Sequence, residues 1–339
     1  MADTLAWGII GAGHIAAVFA EAVARSTRCR VAAVGSLRPG VAAEFGRKFN
    51  IPACYESYDA VLADRDVQAV YIATRQPDHV EWAINAARAG KHLLVEKPIG
   101  MNAREARAMI DAARDNDVFL MEAFVYRGHP QTQRWAELLR DKAIGEVRLI
   151  RASFVCHFPF DPASRIYDKA KGGGAILDIG CYCTSGVKLA AAAALGQDVA
   201  EPLRMQALGT IGSTGIDERS AAQYEFEGGL LAQVWCGLSA WRTVGLEILG
   251  TAGSLSIPVP WGPCRRGGST TILLDRNGQQ EQIAIATDTY AFTYEADQVA
   301  QYLSQRQSPH MTWADTLGNM KMLDEWRAAI GLTYDADKA

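Results

Sequence analysis

Apolar and polar positions follow two different rhythms along this chain, and the change between them divides it. Up to residue 123, short apolar runs recur at Leu5–Ile10, Val31–Gly35, Val67–Ala73, His92–Val95 and Val118–Met121. Apolar residues on consecutive rather than alternate positions predict parallel strands buried on both faces. Helical stretches lie between them, at Ile15–Arg25, His79–Ala89 and Ala103–Arg114. Regular alternation of strand and helix predicts a doubly wound sheet with right-handed crossovers. After a helix at Gln131–Leu139 the pattern turns strand-rich. Strands are predicted at Val147–Val155, Met205–Ile211, Ala221–Glu227, Leu230–Cys236, Val244–Leu249, Ser254–Ile257 and Thr271–Leu274, with Gly228-Gly229 as a hairpin turn. Two helices, Phe292–Gln305 and Trp313–Ala329, follow. The expected fold class is α/β. A Rossmann domain over residues 1–123 precedes an α+β domain over 124–339 with a large, mostly antiparallel, open-faced sheet.

The first strand runs directly into Gly11-Ala12-Gly13-His14-Ile15-Ala16, a G-x-G-x-x-A turn. Gly11 permits the tight turn, Gly13 lets backbone approach a pyrophosphate, and Ala16 lets the helix pack close to the strand. The helix then presents its free N–H groups, from His14 and Ile15 onward, to the phosphates. The second strand ends at Gly35-Ser36-Leu37-Arg38. An acid at that point holds the ribose hydroxyls of NAD; here a hydroxyl and a guanidinium stand instead. Ser36 and Arg38 suit a 2′-phosphate, which favours NADP over NAD.

Two further constellations carry candidate chemistry. Glu96-Lys97-Pro98 follows the His92–Val95 strand, at the end where an open α/β sheet lines its ligand crevice. Gly172-Gly173-Gly174-Ala175-Ile176-Leu177-Asp178-Ile179-Gly180-Cys181-Tyr182 reads as an adaptable loop entering a buried helix. Asp178 and Tyr182 are four residues apart and so share a helical face. Thr74 and His79 open the next crevice-side turn. Tyr126, Arg127 and His129, and the aromatic group Phe154, His157, Phe158 and Phe160, are candidate walls of a substrate pocket.

The formal net charge of −4 comes with no basic block, which argues against nucleic acid and for a small-molecule partner. No run reaches the roughly 20 uninterrupted apolar residues of a membrane span. Met1–Ile10 shows no signal-peptide pattern, so a cytoplasmic location is expected. Seven scattered cysteines offer only Cys181-x-Cys183 as a close pair; free thiols and no metal site are expected.

The order of GAGHIA, Thr74…Pro77-Asp78-His79, EKP and GGGAILDIGCY resembles the glucose–fructose oxidoreductase, inositol dehydrogenase and rhizopine-catabolism (Gfo/Idh/MocA) family over essentially the whole chain. Met121-Glu122-Ala123-Phe124, Tyr182 and Asn319–Asp324 look most like its dimeric dihydrodiol dehydrogenase and NADP-dependent D-xylose dehydrogenase branch. Many members carry His where Tyr182 stands, which makes an inositol substrate less expected. The usual T-P-N segment appears as Thr74-Arg75-Gln76-Pro77, leaving open whether Arg75 or Gln76 faces the nicotinamide. The resemblance implies hydride transfer between NADP(H) and a sugar or related polyol. Tyr182 is then the general acid/base, Lys97 favours its phenolate or carries the proton itself, and Asp178 orients a substrate hydroxyl or holds Lys97. It leaves open aldose oxidation to a lactone, an aldose–aldose oxidoreductase that retains its cofactor, a trans-dihydrodiol dehydrogenase, and a sensor that kept the fold without the chemistry. A wide sheet with an uncovered face implies a homodimer or homotetramer.

Overall fold

The strands Leu5–Ile10 (β1), Cys29–Gly35 (β2), Ala53–Tyr55 (β3), Ala69–Ile72 (β4), His92–Glu96 (β5) and Leu120–Ala123 (β6) form a parallel sheet in the order β3-β2-β1-β4-β5-β6 in this computed structural model, which describes residues 4–338. Both β1 and β4 are buried at every position, the reason they read as unbroken apolar runs. The helices His14–Val23 (α1), Val41–Phe49 (α2), Tyr58–Ala63 (α3), His79–Arg88 (α4) and Ala103–Asp115 (α5) cross between strands. Strand order reverses between β1 and β4, which opens a crevice at their C-terminal ends. Three elements have weak apolar patterns and are absent from the expectation. α2 buries only Ala42, Phe45 and Gly46. β3 is a three-residue edge strand with no fully buried position. α3 has only six residues.

Beyond Pro130–Arg140 (α6) the chain builds a second sheet around Val147–His157 (β7). Cys181–Leu195 (α7) lies against it. The remaining strands are Arg204–Ile211 (β8), Asp217–Glu225 (β9), Leu231–Gly237 (β10), Ser239–Gly250 (β11), Gly253–Ile257 (β12), Gly268–Arg276 (β13) and Gln279–Thr287 (β14). Their order is β14-β13-β12-β11-β7-β10-β9-β8; only β7 and β10 run parallel. Gly228 and Gly229 turn the β9–β10 connection with φ of 71° and 73°, as the glycine pair predicts. β14 was missed because it is a largely exposed edge whose Gln-Gln-Glu-Gln start has no apolar alternation. The helical text Lys169–Leu195 has the length and apolarity of a membrane span, unlike the expectation. With 89% of its most apolar window buried inside the fold, core packing accounts for that composition.

The last helices return to the first sheet. Ala291–Tyr302 (α8) packs on α1, where Thr293 Oγ1 donates to the Ala22 carbonyl at 2.8 Å and Ser26 donates to Asp297. Trp313–Ala329 (α9) lies along α5, with Trp313 Nε1 donating to the Leu120 carbonyl at 3.0 Å and Ala103 N to Asp324 at 2.8 Å. These contacts staple the two sheets together across a shared cleft.

Candidate active site

That cleft holds a cavity of about 740 Å³. Its lining includes His14, Ile15, Thr74, His79, Glu96, Lys97, Phe154, Phe158, Asp178 and Tyr182, so ten of the anticipated side chains converge on one space.

At its first-sheet end, Gly11 has φ of +99° and a Cβ there would meet the Ala73 carbonyl at 2.7 Å, so only glycine fits the turn. Gly13 caps α1, yet a Cβ there would meet nothing within 4 Å. No side chain caps this N-terminus and its first turn has no acid, leaving the helix N–H groups open to an anion. At the end of β2 the Ser36 hydroxyl accepts from Arg38 N at 3.2 Å, and the Arg38 side chain is exposed. Gly11 N donates to the Gly35 carbonyl at 3.1 Å, which puts Ser36 next to the glycine turn. Space, unpaired donors and the absence of an acid together fit a dinucleotide.

Lys97 leaves β5 on a cis peptide bond to Pro98 and is held from several sides. Its ammonium donates to the backbone carbonyl of Asp178 at 2.7 Å and lies 4.8 Å from the centre of the Tyr182 ring. Burial works against its charge, but Tyr182, Cys181, Asp178 and Glu96 hold its pKa above the ordinary range. Beneath the turn, buried His79 places Nδ1 at 3.2 Å from the Pro98 carbonyl and 3.3 Å from that of Ile99. Burial lowers its pKa to about 4, so the imidazole is neutral. Glu122 accepts from Ile99 N at 2.9 Å, its own pKa pushed up to about 8 by burial. Glu96 receives the Tyr71 hydroxyl and Lys97 N.

Asp178 and Tyr182 do not share one regular α-helix: Asp178 is in the π-turn Ile176–Gly180, which leads into α7 with Tyr182 in its first turn. Such single turns re-aim side chains and recur at functional sites. Arg165 donates to the Asp178 carboxylate at 2.8 Å. Burial opposes the charge on Asp178, yet Lys97 and Arg165 keep its pKa below the usual value. Asp178 therefore holds Lys97 through its carbonyl, while its carboxylate holds Arg165. The Tyr182 ring sits among Phe124 (5.3 Å), Phe154 (5.5 Å), Tyr126 (6.2 Å) and Trp261 (6.2 Å). Burial drives its pKa well upward, and the opposing pull of Lys97 is too small to reverse that. The resting phenol is neutral, and Lys97 is the leading influence that favours its phenolate. Asn319, from the α9 segment singled out in the sequence, donates to the Cys181 carbonyl at 3.4 Å and steadies the start of α7.

Several expectations fail for physical reasons. Tyr126 is fully buried behind the cavity, bonded to Ser185 at 2.8 Å and packed on Trp261. Arg127 points away, into a buried ion pair with Asp315 at 2.8 Å that anchors α9. His129 caps α6 through Gln131 N. His157 and Phe160 are outward-facing, Phe160 resting on Tyr167. Gln76 lines the cavity and bonds the Gly100 carbonyl at 3.1 Å, whereas Arg75 pairs with Asp78 at the surface. Reading the sequence also missed Cys156, Arg165, Arg242, Trp261 and Arg265. Trp261 alone carried a signal, as a tryptophan between proline and glycine where a loop aromatic needs a packing reason. All seven cysteines are free.

Comparison with known proteins agrees with this geometry. Residues 5–124 match "Oxidoreductase family, NAD-binding Rossmann fold", and residues 132–256 match "GFO/IDH/MocA C-terminal domain". Trans-1,2-dihydrobenzene-1,2-diol dehydrogenase of Mus musculus is 32% identical over 344 residues, covering 98% of this chain and 99% of that protein. The Danio rerio enzyme of the same name is 33% identical over 346 residues, covering 98% and 99%. Among solved structures, the 3-ketoreductase KijD10 of Actinomadura kijaniata, in complex with NADP and TDP-benzene, is 28% identical with a TM-score of 0.83, covering 97% of this chain and 98% of that one. An aldose-aldose oxidoreductase from Caulobacter crescentus, 23% identical, shares the fold with a TM-score of 0.86 over 96% and 97%. Both halves of the chain match in order, the relatives are matched end to end, and the chain belongs to the Gfo/Idh/MocA oxidoreductase family.

Proposed function

We propose that this protein is an NADP-dependent dehydrogenase or reductase acting on a CH–OH group of a sugar or related cyclic polyol. One observation carries the reading: Lys97, Asp178 and Tyr182 meet in the same cavity as His14 and Ile15, the open start of the helix that follows the glycine turn. When bound, the nicotinamide supplies or takes up the hydride. The protein's share is binding and proton handling. Tyr182, a neutral phenol, is the group ready to donate a proton to a carbonyl oxygen in the reducing direction. In the oxidising direction the proton passes the other way: Tyr182 first releases its own proton to solvent, the phenolate then takes the hydroxyl proton, and the Lys97 ammonium stabilises the negative charge on both oxygens. The Asp178 carbonyl and the His79 and Glu122 contacts keep that ammonium in place. Ser36 and Arg38 support NADP over NAD, and the exposed sheet face supports a homodimer.

The test is reduced-nicotinamide absorbance with NADP⁺ and NAD⁺ against a panel of aldoses and cyclic diols. Turnover is expected with NADP⁺, falling by roughly 10²-fold or more in kcat for Tyr182→Phe and for Lys97→Met. Unchanged kcat in both variants would remove them from the chemistry. A second reading, oxidation of a trans-dihydrodiol, is favoured by the aromatic wall of Phe154, Phe158 and Trp261; the same panel separates it.

A further inference from the structure

The charged lining of the cavity is unbalanced. Lys97, Arg165, Arg242 and Arg265 line it against two carboxylates, Glu96 and Asp178, among the described residues. Both carboxylates are committed: Asp178 to Arg165, and Glu96 to the Tyr71 hydroxyl and Lys97 N. Arg242 and Arg265 form no salt bridge among the described residues, although the chain as a whole carries a charge of −4. Cations gathered in a cleft of an acidic protein focus its field on anions.

Arg242 reaches the cavity by a local irregularity. β11 pairs with β7 as Ser239 with His157 and then as Thr243 with Val155. Three residues of β11, Ala240, Trp241 and Arg242, thus stand opposite the single residue Cys156. A bulge of this kind redirects side chains and is frequent beside active sites. Here Trp241 is 88% exposed while Arg242 joins the cavity wall next to the Phe154 and Cys156 strand. The guanidinium is close enough to Cys156 to oppose the upward push of burial on that thiol. Arg265 is different. It acts on Glu96 and Tyr182, at the end of the cavity next to the first sheet where a dinucleotide would sit, whereas Arg242 belongs to the second sheet.

We propose that Arg242 recognises an anionic group on the substrate, so that the substrate is a sugar acid or a sugar phosphate rather than a neutral sugar. The inference rests on the sugar-oxidoreductase reading above and narrows it. A guanidinium offers a fork of donors to either a carboxylate or a phosphate.

Two measurements test it. The first compares kcat/KM with NADP⁺ for glucose, glucuronate and glucose 6-phosphate. At least one anionic form is expected to exceed glucose by about tenfold, mainly through KM, and the ratio is expected to shrink with salt. Arg242→Gln should bring the ratio close to one and Arg242→Lys should restore part of it. Whether the carboxylate or the phosphate leads identifies the group. An equal preference for glucose, or a ratio that survives Arg242→Gln, overturns the proposal.

The second needs no turnover. With NADP⁺ present, alkylation of Cys156 by anionic iodoacetate is compared with that by neutral iodoacetamide, followed by peptide mass spectrometry. Any change in thiol reactivity affects both reagents, so their ratio reports attraction of the anion. That ratio is expected to fall several-fold in Arg242→Gln, and an unchanged ratio overturns the proposal. Absence of turnover on every sugar, with the alkylation ratio still falling in Arg242→Gln, would instead sink the sugar reading and leave the anion site standing.

Discussion

Asp217 shows how far the site depends on single buried groups. It lies outside the cavity and is fully buried on β9, where it accepts Ile176 N at 2.7 Å and so holds the head of the π-turn that carries Asp178 and leads into the Tyr182 helix. Burial pushes its pKa up to about 7, with Ile176 N and Arg327 opposing. An acid whose folded pKa exceeds its unfolded value of about 3.9 keeps its proton longer in the folded state. The folded protein thus binds more protons between about pH 4 and 7, and stability falls as pH rises through that window. Asp217→Asn can still accept from Ile176 N but cannot ionise. Melting temperatures at pH 5 and pH 8 should differ less in this variant than in the parent. An identical pH slope would mean that Asp217 does not titrate in the fold. No sequence pattern marked this residue, because nothing in one chain shows which strand lies under a glycine loop well upstream of it.

Helices and strands were legible wherever burial was two-sided or periodic, as in β1, β4 and α4, and illegible where it was thin, as in β3 and β14. Candidate residues followed the same logic. Gly11, Gly13, Lys97, Asp178 and Tyr182 sit where an element ends, and element ends can be read from composition. Arg242 sits in a bulge and Arg165 in the short 3-10 turn Arg165–Tyr167, whose directions only the surrounding strands decide. Tyr126 and Arg127 failed because proximity in sequence to the crossover does not say which way a side chain turns. The glycine turn gives a test at this scale. Since Gly13 has φ of −98° and open space around its missing Cβ, Gly13→Ala should fold with an unchanged melting temperature. The added methyl would occupy the approach of the pyrophosphate, so KM for NADP⁺ should rise roughly tenfold or more. A normal KM would mean the cofactor does not come down onto this turn.

Across the whole molecule, the second sheet leaves one face uncovered. Register places Leu208, Ala221 and Trp235 in a row across three strands, and Arg151 and Glu247 pair at 3.0 Å across β7 and β11. A second copy laid on this face would cover these apolar residues. Light scattering is expected to give twice the chain mass, and Leu208→Lys, at a position 84% exposed, to lower it. A monodisperse monomer in the parent protein would refute the face-to-face pairing. The returning helices carry a last consequence. Hinge opening would have to strip α8 from α1 and α9 from α5, breaking the Thr293, Trp313 and Asp324 bonds together. Opening the cleft between the sheets therefore breaks contacts on both helices at once, and the stretch 158–167 borders that cleft through Phe158, Arg165 and Ile166. The Arg165–Asp178 pair ties that stretch to the residue whose carbonyl holds Lys97, so a shift of the stretch 158–167 and the placing of the Lys97 ammonium are coupled.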